Sequence, residues 1–156
     1  MLRYFAYGAN IDLERMQARV PGATVVGPAY VDGFVAEFTV RDRDWGGGAL
    51  NAREREGGRL WGVLYEGPDE AFAVLDTFQG DASVLEKSTV TAVGPDGAVD
   101  AFTYRLVQIA NYVRPSDRYL THITRAMKAQ GMPPEAVEAV LQADRDADDT
   151  GPSISS

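Results

Sequence analysis

The chain has 156 residues, 45% of them hydrophobic and 24% charged, the proportions of one soluble globular domain long enough to bury a core. It has no cysteine and one histidine, His122, which excludes disulfides, thiolate nucleophiles and cysteine metal sites and speaks against a His-rich metal centre or a Ser-His-Asp triad. A net charge of -8 leaves no surplus of Lys and Arg to displace counterions, so nucleic acid is not an expected partner.

Met1-Leu2-Arg3-Tyr4 runs straight into a strand pattern, and no apolar run approaches the ~20 residues of a membrane span. We therefore expect no signal peptide, no membrane partner and a cytoplasmic location. Leu2 to Ala6 reads as a buried strand that stops at Tyr7-Gly8. Asn10 or Asp12 is placed to cap a short helix whose apolar face carries Leu13, Met16 and Val20, and Pro21-Gly22 ends it. Ala23 to Val31 and Gly33 to Arg41 read as two strands rich in Val, Phe and Tyr. Ala49 to Arg53 and Leu60 to Tyr65, around a Glu56-Gly57-Gly58 turn, read as a hairpin. Pro68-Asp69-Glu70 opens a helix that turns Ala71, Phe72, Val74 and Leu75 toward the core. Val84 to Val93 and Val99 to Val107 flank a Gly94-Pro95-Asp96-Gly97 turn. Pro115-Ser116-Asp117 starts a helix through Gln130 that Gly131 closes, and Pro133-Pro134-Glu135 starts a last one to Leu141. From Asp144 on, four aspartates and the terminal serines predict a frayed acidic tail. The expected architecture is α+β, a mixed, partly closed sheet or barrel of about six to seven strands with flanking helices. One domain would span residues 1–143 and the tail 144–156.

Three stretches carry candidate chemistry. In Tyr7-Gly8-Ala9-Asn10 a glycine lets the backbone turn sharply, and amides at the start of a helix make an anion site; read alone, the stretch is more simply a tight turn. Trp45 with Gly46, Gly47 and Gly48 is a flexible hairpin loop or a pocket lid. Leu75-Asp76-Thr77-Phe78-Gln79-Gly80 is a helix end followed by a glycine turn.

Taken in order, these stretches resemble the γ-glutamylcyclotransferase superfamily over nearly the whole chain. Tyr7 to Asn10 matches the family's Tyr-Gly-Ser-Asn, and Pro21-Gly22 and Gly27-Pro28-Ala29 match its next segments. Trp45 to Gly48 and Gly58-Arg59-Leu60-Trp61-Gly62-Val63-Leu64-Tyr65 are similar to its bacterial branch, and Leu75 to Gly80 stands where relatives have Leu-Asp-x-Phe-Glu-Gly. Tyr112-Val113, Pro115 to Tyr119 and Gly131-Met132-Pro133 resemble its C-terminal helix and break. The resemblance implies a cofactor-free reaction on a small carboxylate or amide substrate, by a monomer or homodimer. The α-amine of a γ-glutamyl group attacks its own side-chain carbonyl and yields 5-oxoproline and an amine. It also implies that Tyr7, Gly8, Ala9 and Asn10 hold the substrate's carboxylate end and that Tyr119 lines the pocket, with Tyr104 on a strand that can face it.

The family's proton carrier is the glutamate of Phe-Glu-Gly, and here that position is Gln79. An amide holds a hydrogen bond but does not exchange a proton near neutral pH. Seven positions on, where many relatives have a tyrosine, this chain has Glu86, which makes Glu86 the candidate replacement acid/base; its plainer reading is a solvent-facing strand residue beside Lys87. Gln79 is either natural divergence or a substitution made to trap substrate. Helical spacing sets His122 on a face adjoining that of Tyr119, and Arg53 and Arg55 are placed either to steer an acidic substrate or simply to face solvent. Three functional readings stay open: a γ-glutamyl or related acyl-amide enzyme using Glu86, a different reaction in a biosynthetic pathway, and a non-catalytic module that binds small carboxylates.

Overall fold

The structure, a computed structural model, describes residues 1–78, 85–108 and 111–150, with side chains through Ala147. Among these residues five strands close into a barrel in the order β1-β3-β2-β4-β5. Strand β1 (Leu2–Ala6) runs antiparallel to β3 (Gly47–Gly67) and parallel to β5 (Gly97–Leu106), with Tyr4 opposite Phe102. Strand β2 (Thr24–Asp42) pairs with β3 along most of its length and meets β4 (Leu85–Gly94) where Tyr30 faces Val93. Helix α1 spans Leu13–Arg19, α2 Asp117–Ala129 and α3 Pro134–Thr150; Ala9–Ile11 and Asp69–Phe78 are 3₁₀ segments.

Five strands stand where about six to seven were expected, because two glycines bend strands without ending them. The stretches on either side of Gly33 form one strand, and so do those on either side of Glu56-Gly57-Gly58. Gly33 and Gly57 take φ of 88° and 78°, a conformation open to glycine at little cost, and the ladder resumes past them with a shifted register. The bend folds the distal arm of β2 and β3 toward β5. There the Asn51 side chain takes the part of a strand backbone: its Nδ2 donates to the Leu106 carbonyl at 3.0 Å and its Oδ1 accepts from the Leu106 amide at 2.8 Å.

The Gly94-to-Gly97 turn forms as its sequence predicts, with Gly94 opposite Gly97 and Gly97 at φ 103°. The Asp69–Phe78 segment is 3₁₀ rather than α, yet it buries Phe72 and Leu75 as expected. Ser116 caps α2 by accepting from the Tyr119 amide at 3.1 Å. Asp12 stands at the N-cap of α1 with no side-chain capping bond. The last helix does not stop at Leu141. Ala136, Val140, Ala143 and Ala147 recur at helical spacing and are all buried, so a stripe of small residues carries α3 to Thr150 between acidic faces.

Alternation along β1 turns its side chains to two faces of one hydrophobic cluster. Tyr4 faces outward against Tyr65, Phe72 and Phe102, beneath the Asp69–Phe78 segment. Phe5 and Tyr7 face inward, with Phe5 against the backbone of Gly62.

Candidate functional site

The Tyr7–Asn10 loop leaves β1 at Ala6 and turns at once into the 3₁₀ segment. Gly8 is its N-cap, and the Gly8 carbonyl accepts from the Ile11 amide at 3.0 Å. Such a turn offers no partner of its own to its first amides, those of Ala9 and Asn10. Asn10 is buried; its Nδ2 donates to the Tyr4 hydroxyl at 3.2 Å and its carbonyl accepts from Tyr65 at 2.8 Å. Asn10 Oδ1 is buried with no hydrogen-bond partner among the described residues. The loop therefore offers an acceptor beside donors.

Of the three predicted tyrosines, Tyr7 belongs to this loop and Tyr119 brings its hydroxyl to it. Tyr7 donates to the Tyr104 carbonyl at 2.5 Å. The Tyr119 hydroxyl accepts from the Leu50 amide at 3.2 Å and lies 3.4 Å from where a Cβ on Gly8 would sit. Tyr104 turns its ring to the outer face, beside Tyr4, and donates to the Asp76 carboxylate. Burial pushes all three phenols well above the ordinary tyrosine range, aided for Tyr104 by the Asp76 carboxylate. They are neutral hydrogen-bonding groups near pH 7, and none serves as a base.

Asp76 was not foreseen as a partner of Tyr104. Its carboxylate also pairs with Lys87 at 3.2 Å, and the Tyr104 hydroxyl, then Lys87, hold it below the usual carboxylate range. Only the Lys87 part was signalled in sequence: a Gly94–Gly97 turn sets Lys87 opposite Tyr104 and Glu86 opposite Arg105. Glu86 thus belongs to the row of Ser88, Val90 and Ala92, of which Val90 and Ala92 are buried in the barrel. It stands at the exposed end of that inner row, across from Arg105, on the opposite face from Tyr104. Gln79 lies outside the described residues.

Trp45 is anchored by packing. Its ring packs on Tyr119 at 5.3 Å and His122 at 4.8 Å, and its carbonyl accepts from Ser116 Oγ at 2.6 Å. Gly47 and Gly48 lie against the 113–116 backbone: Gly48 donates to the Arg114 carbonyl at 2.8 Å, and a Cβ there would fall 1.9 Å from Val113 O. His122 reaches the site loop from outside, its Nε2 3.2 Å from the Ala9 carbonyl, and with Trp45 and Arg118 it lines an open cleft of about 670 Å³. Arg53 pairs with Glu37 at 3.6 Å, and Arg55 is exposed. Among the described residues no group of three or more His, Asp or Glu is placed to hold a metal ion, and no helix is long and apolar enough to cross a membrane.

No family model matches the chain. It is 30% identical over 138 residues to the γ-glutamylcyclotransferase of Bos taurus, covering 85% of this chain and 73% of that protein. The same identity holds over 145 residues with the γ-glutamylcyclotransferase of Homo sapiens, covering 86% and 74%. Among solved structures, a γ-glutamyl cyclotransferase superposes with a TM-score of 0.81 at 27% identity over 90% of this chain and 86% of that one. YkqA from Bacillus subtilis gives 0.78 at 25% identity, over 92% of this chain and 54% of the larger protein. With 30% identity across most of both chains and a barrel that superposes along nearly its whole length, the chain belongs to the γ-glutamylcyclotransferase family.

Proposed function

We propose that this protein is a cyclotransferase-type enzyme, located in the cytoplasm, that acts on a small γ-glutamyl or related acyl amide, with Glu86 carrying the proton that the family's glutamate carries elsewhere. The observation behind it is the Tyr7–Asn10 turn, where the first amides of a 3₁₀ segment and a buried, unpartnered Asn10 Oδ1 lie beside the Tyr119 hydroxyl. Donors next to an acceptor suit the amino-acid end of a γ-glutamyl group, whose carboxylate accepts and whose amine donates. The α-ammonium first loses a proton, and its nitrogen then bonds to the γ-carbonyl carbon and gives up a second proton as the ring closes. The amide C–N bond breaks, and the departing nitrogen takes up a proton as the amine leaves 5-oxoproline behind. Only a proton moves in and out of the protein, so the reaction needs no redox partner.

A carboxylate suited to that transfer must gain and lose its proton near the working pH. Asp76 is held low by Tyr104 and Lys87, which makes it a weak base. Glu86 stands at the end of the inner row of β4, on the opposite face from Tyr104 and Lys87, which is why we assign the role to it.

The test is 5-oxoproline release, followed by mass spectrometry, from a panel of γ-glutamyl amines and γ-glutamyl amino acids. Glu86→Gln is expected to lower kcat by about 10²–10⁴ on whichever substrate turns over, the usual worth of general acid–base catalysis. Full turnover by that variant would remove Glu86 from the mechanism. Saturable binding of the panel without any product would favour the binding-module reading, for which Gln79 is the supporting residue.

A further inference from the structure

A second site lies in the crook between the bent arm of β2 and β3 and the end of β5. A cavity of about 240 Å³ is bounded there by Glu37, Thr39, Asn51, Arg53, Glu54 and Arg105, with Leu106 to Gln108 closing it. It is smaller than the roughly 300–1,000 Å³ of pockets that take drug-sized ligands. Buried polar groups in folded proteins are almost always hydrogen-bonded. Five buried side-chain atoms among the described residues are not, and three of them border this cavity: Glu37 Oε2, Thr39 Oγ1 and Arg105 Nε. The Glu37 and Arg105 side chains are only 12% and 13% exposed.

The rest of each side chain is held in place. Arg105 Nη2 bonds Glu54 at 3.1 Å while its guanidinium lies over the Phe34 ring at 5.1 Å, so its Nε is left as a fixed donor. Arg53 Nη1 approaches Glu37 Oε2 at 3.6 Å, too long for a hydrogen bond, so that oxygen is a charged acceptor without a donor. Asn51 is already committed to Leu106 at both ends of its amide. Two guanidiniums and two carboxylates leave the lining without net charge. The site thus presents one anionic acceptor, one cationic donor and one hydroxyl in a small space, and it selects for a small ligand bearing both charges.

We propose that this cavity binds a free α-amino acid, with the ammonium on Glu37 and Thr39 and the carboxylate on Arg105 with Arg53 at its edge. The site makes no use of the Gly8–Asn10 turn and requires no turnover, so it goes beyond the reaction proposed above. Its occupant completes hydrogen bonds that the fold itself leaves open.

The experiment is isothermal titration calorimetry of the full chain with glycine, L-alanine and L-glutamine, and with acetate and methylamine as single-charge analogues. One-to-one binding of at least one amino acid is expected, with acetate and methylamine at least tenfold weaker. Glu37→Gln and Arg105→Met should each weaken binding about tenfold or more, since each removes a charge-assisted bond. Where those variants fold poorly by circular dichroism, Thr39→Val decides: it is nearly isosteric, removes a hydroxyl with no partner, and is expected to weaken binding severalfold. Absence of binding by all three amino acids overturns the proposal, as do analogues binding as well as amino acids, or Thr39→Val binding like the parent. Lost 5-oxoproline release with amino-acid binding intact would speak against the catalytic reading alone.

Discussion

Gly62 sets how closely β1 approaches β3, and through β1 it sets where the Tyr7–Asn10 turn begins. A Cβ built on Gly62 would lie 2.4 Å from the Ala6 carbonyl oxygen and 2.7 Å from Phe5 Cζ, about 1 Å short of the 3.4 Å at which ordinary contact begins. Neither neighbour yields easily, because Ala6 is backbone held in the β1–β3 ladder and the Phe5 ring is 1% exposed. In Gly62→Ala the end of β1 must therefore move by roughly 1 Å, one residue before Tyr7. Overpacking of this kind costs about 1–3 kcal/mol. At 2–4 °C per kcal/mol for a chain of this size, the melting temperature should fall by roughly 2–12 °C. Misplacement of catalytic geometry by 1 Å costs on the order of 10²-fold in rate, so turnover should fall further than stability alone explains. Gly94→Ala is the matched control. A Cβ there meets only Leu64 Cδ2 at 3.4 Å and Ala29 Cβ at 3.8 Å, and Gly94 does not have a positive φ. Lower entropy of the unfolded chain should then stabilise that variant by about 0.4–1 kcal/mol. Urea unfolding of both variants reads the two signs. A Gly62→Ala protein as stable as its parent, or shifted in the same direction as Gly94→Ala, would refute the close-approach argument.

Tyr104→Phe removes the hydrogen bond that contributes most to holding Asp76 low. A carboxyl whose folded pKa is depressed adds stability that is present above its unfolded value of about 3.9 and is lost as pH falls through the folded one. The stability gap between parent and Tyr104→Phe should therefore narrow as pH drops below about 4; urea melts from pH 6 to pH 3 that show a constant gap would contradict the assignment. Ala147→Glu tests the length of α3. Burying a carboxylate against the core should cost about 2 kcal/mol or more, whereas in a solvated tail the change would stay within about 0.5 kcal/mol in chemical denaturation.

The parts of the fold legible in the sequence are those in which local chemistry and tertiary structure ask for the same thing. Gly94-Pro95-Asp96-Gly97 demands a turn whatever surrounds it, and Pro115-Ser116-Asp117 opens a helix because the serine hydroxyl and the backbone amide are three residues apart. Gly33 and Gly57-Gly58 carry the same local signal as a turn, but a barrel needs strands that bend sharply, and the ladder across them decides between bend and break. Nothing within a few residues of Gly57 records that its partner strand continues. From Asp144 to Thr150 the chain is helix where a frayed tail was expected, for a related reason: the aspartates dominate the composition after Ala143, while the alanines that anchor the helix are visible only by their spacing.

The candidate site divides along the same line. The turn at Tyr7 to Asn10 could be read locally because a strand end, a glycine and a helix start are consecutive, while its candidate binding role came from its place in the ordered family series. Lys87, the cross-strand neighbour of Tyr104, was already contained in the Gly94–Gly97 turn, since its register once counted places Lys87 and Glu86 on opposite faces of β4, whereas Asp76 comes from the Asp69–Phe78 segment, which no hairpin register reaches. That count bears directly on the proton carrier. It leaves Glu86 on the inner row beside Arg105 and hands the outer face, with Tyr104, to Asp76 and Lys87. The chain thus has two carboxylates in two environments, one clamped low by a phenol and an ammonium and one at the end of the barrel's inner face. The first is a poor proton acceptor, which is why the proposed proton carrier is the second.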